Sequence, residues 1–240
     1  MILPSPSDSS PRSGIPVDFD LKTFPSDQNN GEGENKMSPI SPARYRSPRR
    51  PAGPVTYLFT PLPSNSMLLA PSDVTDRPQR PYIVSVNLNC FTPTSYITQI
   101  KKTAWDGDHV GDFELSSVNV RNSGTVCLRG NEYLISDVLS SQFNVFRTTW
   151  EWKIKNGTDK PILLFWDDYA GGGVLTCYSS HDKNPDSLLA RFTPRTSLRK
   201  YGQPHDPPKL MVSPEGHDFF DDILMSALII ERIRTTPSSS

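Results

Sequence analysis

The stretch HDFFDDILMSALIIERIR, residues 217–234, decides the fold. Its apolar residues cover most of a helical wheel rather than one stripe, which predicts a helix buried on nearly all sides. Asp221 and Asp222 lie in the predicted first turn, and Arg232 and Arg234 lie in the last, where a helix dipole favours each sign. In an all-β domain such a helix is expected in the middle of a barrel. The alternative is that one helix face packs on an open sheet.

The residues before this helix carry the pattern of short antiparallel strands. Residues 82–91 alternate apolar and polar side chains, and the DGD of 106–108 and the RGN of 129–131 are turn signals. Residues 61–81 are punctuated by proline and are interpreted as a connection. About ten strands at this spacing predict an all-β barrel or sandwich. The predicted strands are 55–60, 82–91, 95–102, 112–118, 125–128, 132–135, 146–155, 161–166, 174–179, 188–193 and 209–213.

Composition changes sharply near residue 81. The first 81 residues hold 15 of the 24 prolines and show almost no periodic apolar pattern. Such a segment buries too little apolar surface to offset the entropy of ordering it. We therefore predict a disordered Pro/Ser-rich region over residues 1–53, a folded domain over 54–235 and a disordered tail over 236–240.

Charge and cysteine content exclude several classes of protein. With 25 Lys and Arg against 26 Asp and Glu, the chain is not a uniformly basic nucleic-acid binder. The 3 cysteines are far apart and form no CxxC, which argues against a zinc module or a disulfide-stapled fold. The longest uncharged apolar run, 223–230, is short of the roughly 18–20 residues of a membrane span. Without a signal-peptide pattern at its start, the chain is expected to be intracellular and cytoplasmic, with no cofactor.

The order of these features resembles a known family. The motifs are WEWK at 150–153, LARF at 189–192, KLMV at 209–212 and the run DDIL to IIER at 221–232. Together they resemble the fungal domain-of-unknown-function family numbered 6593. That family is similar to a wider group of tubby C-terminal domains, LURP-one-related proteins and phospholipid scramblases. The resemblance covers about residues 55–234 and implies a closed antiparallel barrel of about twelve strands around a central C-terminal helix. It implies no catalytic residues.

The most enzyme-like local feature is the pair Asp167 and Asp168, followed by three glycines at 171–173. Paired carboxylates can bind a metal or act as acid and base. The pair follows an apolar strand, however, and carboxylates next to glycines are typical of a solvated turn. The sequence favours the turn. The four histidines are scattered, and no serine lies in a GxSxG elbow, so neither suggests a catalytic site.

Arg191, Arg195, Arg199 and Lys200 form the basic cluster of the predicted domain. Arginine forks suit phosphate, and the resemblance to tubby-like proteins implies phosphoinositide headgroups, so this cluster is the candidate anionic ligand site. The alternative is an ordinary solvated face.

Three Ser-Pro pairs, at Ser38, Ser41 and Ser47, lie among arginines in the proline-rich region. They match proline-directed kinase sites, and phosphates there would neutralise the basic patch. These serines are candidate phosphorylation sites in a switch that releases a membrane or a partner.

These features favour a non-enzymatic intracellular β-barrel module that binds a lipid headgroup, a membrane surface or a protein partner. It would associate with membranes peripherally, without a transmembrane span and without nucleic acid. The alternatives are a scramblase-like lipid-translocating or calcium-responsive membrane protein, or an enzyme with no recognisable motif.

Overall fold

The computed structural model describes residues 50–72, 79–116, 124–144, 147–155, 161–169, 173–195 and 206–236. The described strands are β1 Val55–Leu62, β2 Ser66–Pro71, β3 Tyr82–Leu88, β4 Ser95–Lys102, β5 His109–Ser116, β6 Gly124–Leu128, β7 Asn131–Leu134, β8 Leu139–Asn144, β9 Arg147–Ile154, β10 Ile162–Tyr169, β11 Leu175–Tyr178, β12 Leu188–Thr193 and β13 Lys209–Val212. The helices are α1 Ile135–Val138 and α2 Phe220–Thr235, with 3-10 turns at Pro185–Ser187 and Glu215–Phe219.

The thirteen strands form one antiparallel sheet. Its order is β7-β6-β5-β4-β3-β2-β1-β13-β12-β11-β10-β9-β8, so nearly every strand pairs with its neighbour in sequence. The exception is the pair β7 and β8, which lie at opposite ends of this order, while β1 also pairs with β13 and places Val55 opposite Val212. This pairing joins the two halves of the sheet.

The predicted closed barrel is wrong, because β7 and β8 form the two edges of the sheet. Closure would need a hydrogen-bonded ladder between them. Instead α1, a single turn, follows β7 directly, leads into β8 and packs against both strands. A side chain links β7 to the strand beside the other edge: Tyr133 donates its hydroxyl hydrogen to the carbonyl of Lys155, which follows β9, at 3.2 Å. Of the two edge strands, β7 has only 4 residues, which limits pairing with other chains at that edge.

The predicted C-terminal helix is confirmed as α2, and it lies in the core. Nine of its 16 residues are buried. It contacts both β5 and β9, which are nine positions apart in the sheet. In a flat sheet they would be about 43 Å apart at roughly 4.8 Å per strand, whereas a helix is about 10 Å wide. The sheet therefore curves around α2 while its edges stay unpaired. Neither described helix has the length and apolar character that crossing a bilayer requires.

Gly111 permits this close packing. A Cβ atom at Gly111 would lie 2.8 Å from the Met225 side chain of α2 and 2.3 Å from the Cys127 carbonyl of β6. Only a residue without a side chain fits between the helix and the neighbouring strand.

Most predicted strands are confirmed with boundaries within a few residues, and two strands were missed. β2 lies within 61–81, which was predicted as a connection, and β8 precedes the predicted strand at 146–155. The RGN turn joins β6 and β7 as predicted, with Arg129 and Gly130 both at positive φ. The predicted domain boundaries remain predictions. Residues 1–49 and 237–240 lie outside the described residues.

Candidate ligand site

The N-terminal end of α2 is fixed by a buried carboxylate. Asp222 has no exposed surface and forms an ion pair with the Arg129 guanidinium, which the β6–β7 turn presents. The indole N–H of Trp152 on β9 also points at Asp222, at 3.3 Å. The β6–β7 turn and β9 thus supply the hydrogen bonds that a buried charge requires.

The adjacent Asp221 is paired in the same way. The Lys102 ammonium donates to it at 2.8 Å, and the Tyr82 hydroxyl donates at 3.1 Å. Burial, and then the nearby Asp221 charge, raises the pKa of Tyr82, so its hydroxyl remains a donor. At this end of α2, therefore, each of these carboxylates already has a cation.

The C-terminal end of α2 borders an open pocket of about 1050 Å³. The β1–β2 turn, the ends of β3 and β4, the chain at 206–208 and the last turns of the helix surround it. The turn is held in place because the Val86 N–H donates to the Asn65 carbonyl at 3.0 Å. The walls are mainly apolar and include Phe59, Pro61, Leu62, Met67, Val86 and Leu88.

Two guanidinium groups and one carboxylate line this pocket among the described residues: Arg195, Arg232 and Asp206. The Arg232 guanidinium lies 5.1 Å from the centroid of the Tyr96 ring, a cation–π contact that orients it. A cation held over an aromatic face can still donate hydrogen bonds through its fork to an anion. The pocket therefore combines apolar walls with positively charged donors.

The structure separates the two described members of the predicted basic cluster. Arg195 lines the pocket, whereas Arg191 lies on the exposed face of β12, in a separate depression of about 530 Å³ shared with Lys209. Arg199 and Lys200 lie outside the described residues, as do Ser38, Ser41 and Ser47. From the sequence, Arg232 was interpreted only as a partner of the helix dipole. It lies between Glu231 and Arg234 in the polar last turn of the helix, so no local signal set it apart as a pocket residue.

The prediction that Asp167 and Asp168 form a solvated turn is wrong, because both lie within β10. Successive residues of a strand point to opposite faces. Asp168 accepts from Arg234 of α2 at 3.0 Å, whereas Asp167 is buried and pairs with Arg147 and Lys183. Each carboxylate is thus neutralised by its own cation. The part of the chain that the structure describes contains no group of three or more residues arranged to hold a metal ion.

Comparison with known proteins gives one match. A family model described as a family of unknown function, DUF6593, matches residues 68–236. No curated protein and no solved structure matches the chain.

Proposed function

The chain belongs to the DUF6593 family, and we propose that it is a non-enzymatic binding module whose pocket holds an anionic amphiphile such as a lipid. The observation that carries the proposal is the approximately 1050 Å³ pocket with apolar walls and the two arginines Arg195 and Arg232. The headgroup would contact the guanidinium groups, and the apolar tail would lie against Phe59, Leu62 and Val86.

The size and chemistry of the pocket support this proposal. Ligand pockets are typically about 300–1000 Å³, mostly apolar, with a few polar groups that fix orientation. An amphiphile matches both parts of the lining, whereas a free phosphate would leave the apolar walls in contact with water. Asp206 also lines the pocket, and its carboxylate would repel an anionic ligand. For an anionic ligand to bind, its attraction to the two arginines must therefore exceed its repulsion from this carboxylate. The affinity should then depend on the charge of the ligand, which can be tested.

We also propose that the family is fungal and belongs with the tubby, LURP-one-related and scramblase group, acting inside the cell at membranes. The antiparallel strands followed by a buried C-terminal helix support this placement. The unpaired edges β7 and β8 are a departure from the closed architecture that the resemblance implied.

Calorimetric titration with octyl phosphate, below its micelle concentration, tests the pocket. We expect saturable binding that weakens as salt rises, and weaker binding of uncharged octyl glucoside and of inorganic phosphate. Arg195→Gln and Arg232→Gln should each weaken octyl phosphate binding about tenfold, since a hydrogen bond to a charged group contributes roughly 1.5–3 kcal/mol.

The matched control is Arg191→Gln, because Arg191 is exposed on β12 and lines a different depression. It should leave octyl phosphate binding unchanged. Absence of saturable binding in the wild type, or an equal loss in all three variants, would overturn the proposal.

A further inference from the structure

Exposed apolar side chains surround the same pocket. Met67 and Leu88 line it and are 39% and 55% exposed. Phe91 is 93% exposed and lies in the β3–β4 loop, which joins the lining residues Leu88 and Tyr96. We call Met67, Leu88 and Phe91 the apolar rim. Apolar side chains clustered at one surface, beside cations, are typical of an interaction site rather than of chance exposure.

The loop that carries Phe91 is held by its own hydrogen bonds. The Asn89 side-chain oxygen accepts from the backbone N–H groups of Phe91 at 2.9 Å and Thr92 at 3.3 Å. The Asn89 amide donates to Glu114 at 2.7 Å, which fixes the loop to β5. The exposure of Phe91 is therefore built into the loop geometry, and the nearby Glu114 carboxylate is engaged in hydrogen bonds.

We infer that this end of the molecule docks on the surface of an anionic bilayer, with the apolar rim inserted at the boundary between headgroups and acyl chains. Arg195 and Arg232 would then face the lipid phosphates. Apolar side chains flanked by arginines are the combination by which interfacial segments bind anionic membranes. The inference rests on the proposed function, because docking would bring the pocket to the layer from which an amphiphile enters.

The fold supplies an internal control at the opposite end of β4. Ser95 begins this strand beside the Phe91 loop, and Lys102 ends it. Trp105 follows in the next turn and is 51% exposed. The seven steps from Ser95 to Lys102, at about 3.3 Å each, separate the two ends by roughly 23 Å. A bilayer against the apolar rim therefore leaves Trp105 in water.

Flotation with vesicles of phosphatidylcholine alone, or with one third phosphatidylserine, tests docking. We expect the full chain to float with the anionic vesicles, and Phe91→Ser to lower its partition about tenfold because the buried apolar area is lost. Arg195→Gln and Arg232→Gln should each lower it about fivefold, and Trp105→Ser should have no effect.

Insertion depth is measured by tryptophan fluorescence in the double variant Trp105→Phe, Phe91→Trp. Lipids with brominated acyl chains act as the quencher. The new indole at position 91 should shift its emission to the blue and be quenched on vesicle addition. Emission from the unaltered chain, which comes from Trp105 and the three core tryptophans Trp150, Trp152 and Trp166, should show neither change, so the response of the double variant belongs to position 91. An equal loss of flotation in Phe91→Ser and Trp105→Ser, or no quenching at position 91, would overturn the inference.

The two proposals fail in different ways. Phe91→Ser should bind octyl phosphate like the wild type, since Phe91 is outside the pocket lining. Octyl phosphate binding without vesicle flotation would overturn membrane docking and leave the pocket standing. Flotation that depends on Phe91, without octyl phosphate binding, would support docking and overturn the pocket.

Discussion

The two ends of α2 differ in how they use charge. At the N-terminal end, Asp221 and Asp222 are each paired with a cation from the sheet. At the C-terminal end, Arg232 stacks on an aromatic ring and borders a pocket of about 1050 Å³. One end therefore fixes the helix in the sheet, and the other leaves charge available for a ligand. The comparison predicts that stability and binding respond to different substitutions on the same helix.

The largest effect is expected at the centre of α2, between the two ends. Leu224 has no exposed surface, whereas Leu228 is only partly buried. Leu224→Asp would place an unpaired carboxylate in the core and cost several kcal/mol, a large part of the roughly 5–15 kcal/mol that stabilises a domain. Soluble yield and thermal melting measure this, with Leu228→Asp as the matched, milder control. A cooperatively folded Leu224→Asp would show that α2 is not part of the core.

The next largest effect comes from comparing the stability change of one substitution at each end of α2. Asp222→Ala leaves Arg129 and the Trp152 N–H without their acceptor, and we expect a loss of about 3 kcal/mol in the free energy of unfolding. The Arg129 side chain is 31% exposed, so water can partly replace the lost carboxylate. Arg232→Gln at the open end should change stability by less than about 0.5 kcal/mol.

Urea unfolding of both variants measures this contrast, with Asp222→Asn as an intermediate that keeps an oxygen acceptor for Trp152. Equal destabilisation by Asp222→Ala and Arg232→Gln would contradict the division between a fixing end and a binding end.

The sequence predicted the local elements better than their assembly. β4 and β12 have the predicted boundaries. β2 was missed because prolines surround it, although Pro61 pairs opposite Met67 in the ladder. β8 was missed because only Leu139 in it is buried. Whether β7 and β8 pair depends on the four residues of α1 that connect them. The apolar periodicity of the strands predicts the strands themselves but not this pairing.

The candidate site was only half predictable, for a physical reason. Arg191 and Arg195 are close in sequence, but strand alternation commits Arg191 to the exposed face of β12, and β12 ends at Thr193 before Arg195. The second cation of the pocket, Arg232, comes from α2 and approaches only when the sheet curves around the helix. Sequence neighbours were therefore a poor guide to which charges share a site.

The smallest predicted effect is a pH dependence that arises at the fixing end. His217 Nδ1 lies 2.8 Å from the Ser213 carbonyl and Nε2 lies 3.1 Å from the Tyr57 hydroxyl. A carbonyl only accepts, so Nδ1 carries the hydrogen and neutral Nε2 accepts from Tyr57. Burial raises the pKa of Tyr57 to about 12, so this hydroxyl remains protonated. Burial also lowers the pKa of His217, although the Ser213 carbonyl and Asp218 act in the opposite direction.

Because the folded chain binds the His217 proton less readily than the unfolded chain, protonation favours unfolding. The stability that neutral His217 contributes is fully present above its unfolded pKa of about 6.5. It is lost as the pH falls through the lower pKa of His217 in the folded chain. The free energy of unfolding should therefore decrease between about pH 7 and pH 5, above the range in which exposed carboxylates titrate.

Urea unfolding across this range should show a flatter dependence in His217→Asn, while His181→Asn, at an exposed position, should retain the wild-type slope. If His217→Asn keeps the full slope, the titrating group lies elsewhere. If binding of octyl sulfate, whose single charge does not titrate in this range, follows the same pH dependence as unfolding, the two ends of α2 are coupled rather than independent.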